Sequence, residues 1–197
     1  RVRALTGFVS EQSVLPSEYT VREYLTLRAQ LYGLTEPESA TACASAGASA
    51  GGSSGDRQAR AVANTAVAAA VERVIAQCAL SEVQHTKLGA LSKGYAERVS
   101  FAQALVHNPP VLVLDEPASG LDPAQIKQMR ELIKRLSKTK TVLLSTHLMQ
   151  EVDALAKTVF ILKQGKLIAQ GSAESIIRET KTTSLEEAFI ALNQVAE

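Results

Sequence analysis

An α/β fold with a mainly parallel sheet and an inserted helical subdomain is expected here, on three observations. Two apolar runs, Val111 to Leu114 and Thr141 to Leu144, are short, uniformly apolar and bounded by proline or polar residues, as buried parallel strands are. Amphipathic helical stretches alternate with them, the βα pattern of a parallel sheet. Apolar residues make up 46% of the 197, enough to build a packed core.

In chain order, Ala4 to Val9 reads as a strand that ends at Ser10, Glu11 and Gln12. A loop with Pro16 follows. Thr20 and Glu23 then have capping-box spacing, in which each side chain satisfies an orphan amide of a starting helix. Val21, Tyr24, Leu25, Leu27, Leu31 and Tyr32 form its apolar face, and Gly33 ends it. Every residue from 39 to 55 is Ala, Ser, Thr, Cys or Gly. Such side chains bury too little apolar surface to offset the entropy of ordering, so a flexible insertion is expected over 39–56, the alternative being an Ala-rich helical extension for part of it. Helical spacing returns from Arg57 to Leu80, with Val67, Val71, Val74, Ile75 and Cys78 on one side.

Tyr95 to Val106 reads as the next helix, closed by Asn108, Pro109 and Pro110 before the first buried strand. Asp122 caps a helix whose first residue, Pro123, needs no amide partner there; Ile126, Met129, Ile133 and Leu136 are its core face. His147 follows the second buried strand, and Leu148 to Ala156 is a short helix. Val159 to Leu162 and Leu167 to Ala169 flank a Lys163-Gln164-Gly165-Lys166 turn, a hairpin. Ser172 and Ser184 open two C-terminal helices, and Ser184 with Glu187 makes a second capping box. The expected division is a core from 1–17 and 109–171, a helical subdomain from 18–108, and a C-terminal helical extension from 172–197.

Composition narrows the function. The formal net charge is +1, which argues against a broad electrostatic grip on nucleic acid. Cys43 and Cys78 match no metal-ligand spacing and read as two reduced thiols of an intracellular protein. No apolar run approaches the roughly 20 residues that span a bilayer. Any membrane crossing therefore falls to another chain.

Four constellations carry chemistry. Val111 to Pro117 is a buried strand ending in Asp115 and Glu116, which places two carboxylates at the sheet edge where ligands of α/β proteins gather. One suits a magnesium ion, directly or through water; the other suits an attacking water. Ser119-Gly120-Leu121-Asp122 comes next and also serves as a plain helix cap. His147, just past the neighbouring strand, is either structural or a hydrogen-bonding partner for a terminal phosphate. Leu91-Ser92-Lys93-Gly94-Tyr95 opens a helix, where free amides, a hydroxyl and a glycine form an anion site, or else a simple turn.

In this order and spacing the four resemble the ATP-binding domain of ABC transporters. Leu91 to Tyr95 looks like the signature motif, Asp115 and Glu116 like the Walker B pair, Ser119 to Asp122 like the D-loop, and His147 like the switch histidine. Gly7-Phe8-Val9-Ser10-Glu11 resembles the Q-loop, with Glu11 at the usual glutamine and Gln12 one step later. The resemblance implies a P-loop NTPase-type core, ATP and Mg2+ as ligands, and hydrolysis coupled to transport. It implies that Glu116 orients the water and His147 contacts the γ-phosphate. Asp115 and Glu11 would face the metal, Glu11 or Gln12 would couple to the membrane partner, and Asp122 would link two sites. Ser92, Lys93, Gly94 and Tyr95 would grip the nucleotide of a second ATP-binding subunit. A transmembrane permease subunit, no nucleic acid, and a cytoplasmic position on the inner face of the membrane complete the expectation. Lys93 in place of glycine and Tyr95 in place of glutamine resemble an exporter subgroup associated with gliding and sodium export. The stretches Gly165 to Gly171 and Ser184 to Phe189 look like its tail.

A Gly-x-x-x-x-Gly-Lys-Ser/Thr loop should precede the Q-loop, and residues 1–10 contain none. The core is thus expected to be incomplete, and this chain alone to lack turnover. The alternative is a catalytically incomplete module supplying only the signature half-site. Chromosome-maintenance ATPases share these motifs but separate them with long coiled coils, and no heptads occur here. Translation regulators of this type carry tandem copies.

Overall fold

A computed structural model describes residues 2–11, 13–34 and 54–194. Gln12, Cys43 and the expected insertion up to residue 53 lie outside the described residues. Residues 54–56, read as part of that insertion, instead open a helix.

The elements run α1 (Val2–Leu5), β1 (Thr6–Val9), α2 (Val21–Leu31), α3 (Ser54–Gln77), α4 (Lys93–Leu105), β2 (Val111–Asp115), α5 (Pro123–Leu136), β3 (Thr141–Ser145), α6 (Met149–Leu155), β4 (Val159–Lys163), β5 (Lys166–Gly171), α7 (Ala173–Thr180) and α8 (Leu185–Gln194). Strands β1, β2 and β3 form a parallel sheet in that order, and β4 pairs antiparallel with β5. Helices connect the parallel strands, as parallel pairing requires.

Register decides where the chemistry falls. Val9 pairs with Leu114, and Asp115 with Ser145, so the three strands end together. Glu11, Asp115, Glu116 and His147 consequently leave the sheet at one edge. Val9, Leu112 and Leu114 are fully buried on the sheet face that packs against α4, each such side chain contributing roughly 2 kcal/mol. That core continues through Leu25, Val71, Val74, Phe101 and Leu105. A second, smaller core of Val159, Ile161, Ile176, Leu185 and Ala188 joins the β4–β5 hairpin to α7 and α8.

Local signals explain the helix starts. Thr20 and Glu23 form the expected capping box on α2, and Asp122 with Gln125 forms one on α5. On α8 the box is only half made. Ser184 Oγ accepts from Glu187 N at 3.2 Å, but the Glu187 carboxylate turns to Thr183, one residue earlier.

Four expectations need correction. Val2–Leu5 is a helical turn, closed by Thr6 Oγ1 donating to Val2 O, because strand pairing begins only at Thr6. Leu31 is 70% exposed and does not belong to the buried face of α2, which is Val21, Tyr24, Leu25 and Ala29. The helix read from Tyr95 starts at Lys93. Strand β3 is not buried: Leu143 is 55% exposed, in a row with Val113 and the exposed Phe8. It lies at the sheet's edge, and that face stays open among the described residues.

Candidate functional site

The end of β2 builds the centre of the site. Asp115 is its last residue, and Asp115 Oδ1 accepts from Ser145 Oγ at 2.5 Å across the β2–β3 pair. Glu116 follows with φ of 47°, a left-handed conformation that costs an L-residue on the order of 1 kcal/mol. Its amide is held by Ser145 O at 3.1 Å. This turn brings Glu116 Oε1 to 2.9 Å from His147 Nδ1. Thr146 Oγ1 lies 3.5 Å from the other carboxylate oxygen and accepts from Leu148 N, fixing the chain as it enters α6.

The pair is asymmetric. The Glu116 side chain is 20% exposed and that of His147 is 73% exposed, so the carboxylate is sheltered and the imidazole stands in solvent. A sheltered carboxylate with one oxygen held by an imidazole suits polarising or orienting a water. An imidazole anchored through Nδ1 keeps its second nitrogen for a ligand.

The loops around this edge close on each other. Ser119 Oγ donates to Glu11 Oε1 at 3.2 Å, tying the loop after β2 to the end of β1. Asp122, by contrast, spends its carboxylate locally: Oδ1 accepts from Ala124 N and Gln125 N, at 2.9 Å each. In this state it is a helix cap.

The turn at 91–95 lies next to that loop rather than next to the Glu116–His147 pair. Ser92 is the N-cap residue of α4 but makes no side-chain capping bond, so its hydroxyl and the first amides of α4 stay open. Lys93 and Gly94 lie against Gly120 and Gln125 respectively. Tyr95 is engaged from behind: its ring carries the Arg98 guanidinium at 5.4 Å and its hydroxyl faces Glu82 at 3.5 Å. Among the described residues, no hydrogen bond joins Ser92 or Gly94 to Glu116 or His147. The structure therefore brings Glu11, Asp115, Glu116 and His147 to one edge and sets Ser92 to Tyr95 beside Asp122.

Several residues here escaped the sequence reading. Ser145, Thr146 and Gln125 hold the acids or the loop; the Ser145-Thr146-His147 run of donors past a strand was the available signal. The remaining histidine contacts are structural. His107 stacks on Tyr32 at 3.8 Å and meets Thr6 O through Nε2 at 3.2 Å. Cys78 is buried, which pushes its thiol up to about 12 and leaves it an inert core residue.

Divalent-metal binding has a test in the donor set. Among the described residues no group of three or more His, Cys, Asp or Glu is placed to hold a metal ion. What the edge offers is carboxylate oxygen from Asp115 and Glu11 with hydroxyls from Ser119 and Ser145. That set fits magnesium, which takes one or two carboxylates and completes its shell with phosphate oxygens and water.

Comparison with known proteins gives the following. A family model described as "ABC transporter" matches residues 1–119, and one described as "AAA domain, putative AbiEii toxin, Type IV TA system" matches residues 90–153. The Nod factor export ATP-binding protein I of Burkholderia thailandensis is 33% identical over 176 residues, 89% of this chain and 49% of that protein. The ABC transporter ATP-binding protein NatA of Bacillus subtilis is 32% identical over 126 residues, 64% of this chain and 51% of that protein. The chain spans about half the length of the curated relatives it matches. A solved structure of the ATP binding subunit of an ABC transporter superposes with a TM-score of 0.69 at 25% identity, covering 97% of this chain and 69% of that one. One of cbiO1 from Clostridium perfringens, part of the ABC transporter complex cbiONQ, gives 0.68 at 22% identity, covering 91% and 62%, a likeness of fold.

Proposed function

Because this chain belongs to the ABC transporter family of ATP-binding proteins, we propose that it forms the hydrolytic part of a transporter's ATP-binding subunit, working beneath a separate permease. The carrying observation is the Glu116–His147 contact of 2.9 Å at the carboxyl edge of the parallel sheet, beside Asp115.

On this reading ATP lies across that edge. Glu116, fixed on one side by His147, holds the attacking water through its other oxygen, which Thr146 Oγ1 approaches at 3.5 Å. With Nδ1 turned to Glu116, the second ring nitrogen of His147 is left to meet a phosphate oxygen. Asp115 and Glu11 would hold magnesium, which supplies charge neutralisation on the phosphates. The strained Glu116 backbone and the Ser145 contacts pre-set this geometry, so little reorganisation is left for the reaction itself.

A Gly-x-x-x-x-Gly-Lys-Ser/Thr loop from a longer protein would cradle the phosphates, and this chain by itself would not turn ATP over. The open amides of α4 with Ser92 and Gly94 stand apart from Glu116 and His147. That separation favours their serving the nucleotide of a second ATP-binding subunit, which makes a module supplying only this half-site the alternative. We assign membrane crossing to a permease chain, with this subunit peripheral on the inner face. No helix among the described residues is long and apolar enough to cross a membrane. Lys93 and the likeness to a Nod factor export ATP-binding protein support an exporter.

The test is turnover by the longer protein. Glu116→Gln should lower ATP hydrolysis by about a hundredfold, the scale of losing a positioned acid–base group, and keep nucleotide affinity. Unchanged hydrolysis would remove Glu116 from the reaction; a longer wild-type protein that binds ATP without turnover would favour the half-site reading.

A further inference from the structure

Two side chains join the turn at 92–95 to the loop at 119–122 within one subunit. Gln125, the third residue of α5, accepts from Asp122 N through Oε1 at 3.3 Å, the return leg of the α5 capping box. The same amide packs against Gly94. A Cβ at Gly94 would stand 2.7 Å from Gln125 Nε2 and 2.8 Å from Gln125 Cδ, so only glycine admits this approach. The second contact runs the other way. Lys93 extends over Gly120, whose φ is +67°, and its ammonium occupies the space a Cβ at Gly120 would take. Each segment thus offers a glycine to the other's side chain.

We propose that Gln125 and Lys93 are positioning residues that lock the Ser92–Tyr95 turn to the Ser119–Asp122 loop, so that the two segments move as one body. Asp122 is held by Gln125, Ser119 reaches Glu11, and the loop follows directly from Glu116. A displacement of α4's N-terminus is therefore transmitted along this chain of contacts to the acids at the sheet edge. If the two segments face different nucleotides, as the proposed function has it, occupancy of one site is reported to the other within a single subunit. This last step rests on that reading; the mechanical link does not.

The link is measurable without nucleotide, by amide hydrogen exchange on this chain. Gly94→Ala should push the Gln125 side chain off Asp122 and raise exchange at Asp122 to Gln125 about fivefold, the equilibrium equivalent of weakening one cap. Gln125→Ala should do the same. In the double variant the two effects should not add, because the second removes the group the first displaces. Lys93→Met should raise exchange at Gly120, and Lys93→Arg should restore it. Unchanged amides in β3 report that each variant folds. Additive effects of the two α4–α5 variants, or no response at Asp122 to Gln125 in Gly94→Ala, would overturn the proposal. In the longer protein Gln125→Ala should lower kcat severalfold and leave KM for ATP in place. A kcat equal to wild type would overturn the positioning role, whereas failure of the Glu116→Gln test would strike the hydrolytic reading and leave the exchange result standing.

Discussion

Glu97, one turn into α4, has lost most of its contact with water and gained no donor: its Oε1 is buried without a hydrogen-bond partner. Burial pushes its carboxyl up to about 7, against the opposing charge of Lys93. Since the folded-state value lies above the unfolded one, the stability Glu97 supports is complete in acid and is lost as pH rises toward and through 7. Glu97→Gln, which cannot ionise, should therefore be more stable than wild type at pH 8, by on the order of 2 kcal/mol, with the gap closing below pH 4.5. Equal stabilities of the two at pH 8, measured by thermal melts, would refute this. At this scale the sequence announced Asp115, Glu116 and His147 through their positions after two apolar strand runs. It gave no sign of Ser119 meeting Glu11, a contact between residues 108 apart, nor of Lys93 covering Gly120. Such contacts depend on how loops close, and no periodicity encodes that.

Among the elements, α5 follows directly on Asp122, and α6 begins two residues after His147. They are tied by Arg130, whose Nε and Nη2 donate to Glu151 Oε1 at 3.0 and 2.8 Å. The Glu151 side chain is 3% exposed, so its charge relies on that guanidinium. Arg130→Met should destabilise the chain by roughly 3 kcal/mol, the effect of leaving a buried carboxylate unpaired, and denaturant titration measures it. A loss under 1 kcal/mol would mean the pair contributes little. Asp122→Ala removes the α5 cap and should lose about 1 kcal/mol in the same assay. Helices α3 and α5 were legible because apolar residues recur at helical spacing: Val67, Val71, Val74 and Ile75, and Met129, Ile133 and Leu136, are all buried. The start of β1 was misread because Ala4 and Leu5 have no neighbouring strand, and an unpaired stretch takes the local helical turn. The burial of β3 was overread for a related reason. An apolar run signals a strand but not which neighbours cover it.

At the scale of the whole molecule, parallel register gathers four candidate residues from three strand ends onto one edge, and family membership follows from the match across residues 1–119. What the chain does in company is the proposed part, since its match spans about half the length of those relatives. On the proposed function, Glu116 and His147 act as one unit on ATP. A double-mutant cycle of steady-state hydrolysis in the longer protein tests it most directly. Glu116→Gln and His147→Ala should each lower kcat by about a hundredfold, and the double variant should fall little below the worse single one, as for groups that work together. Losses that multiply, or a His147→Ala variant with wild-type turnover, would contradict it.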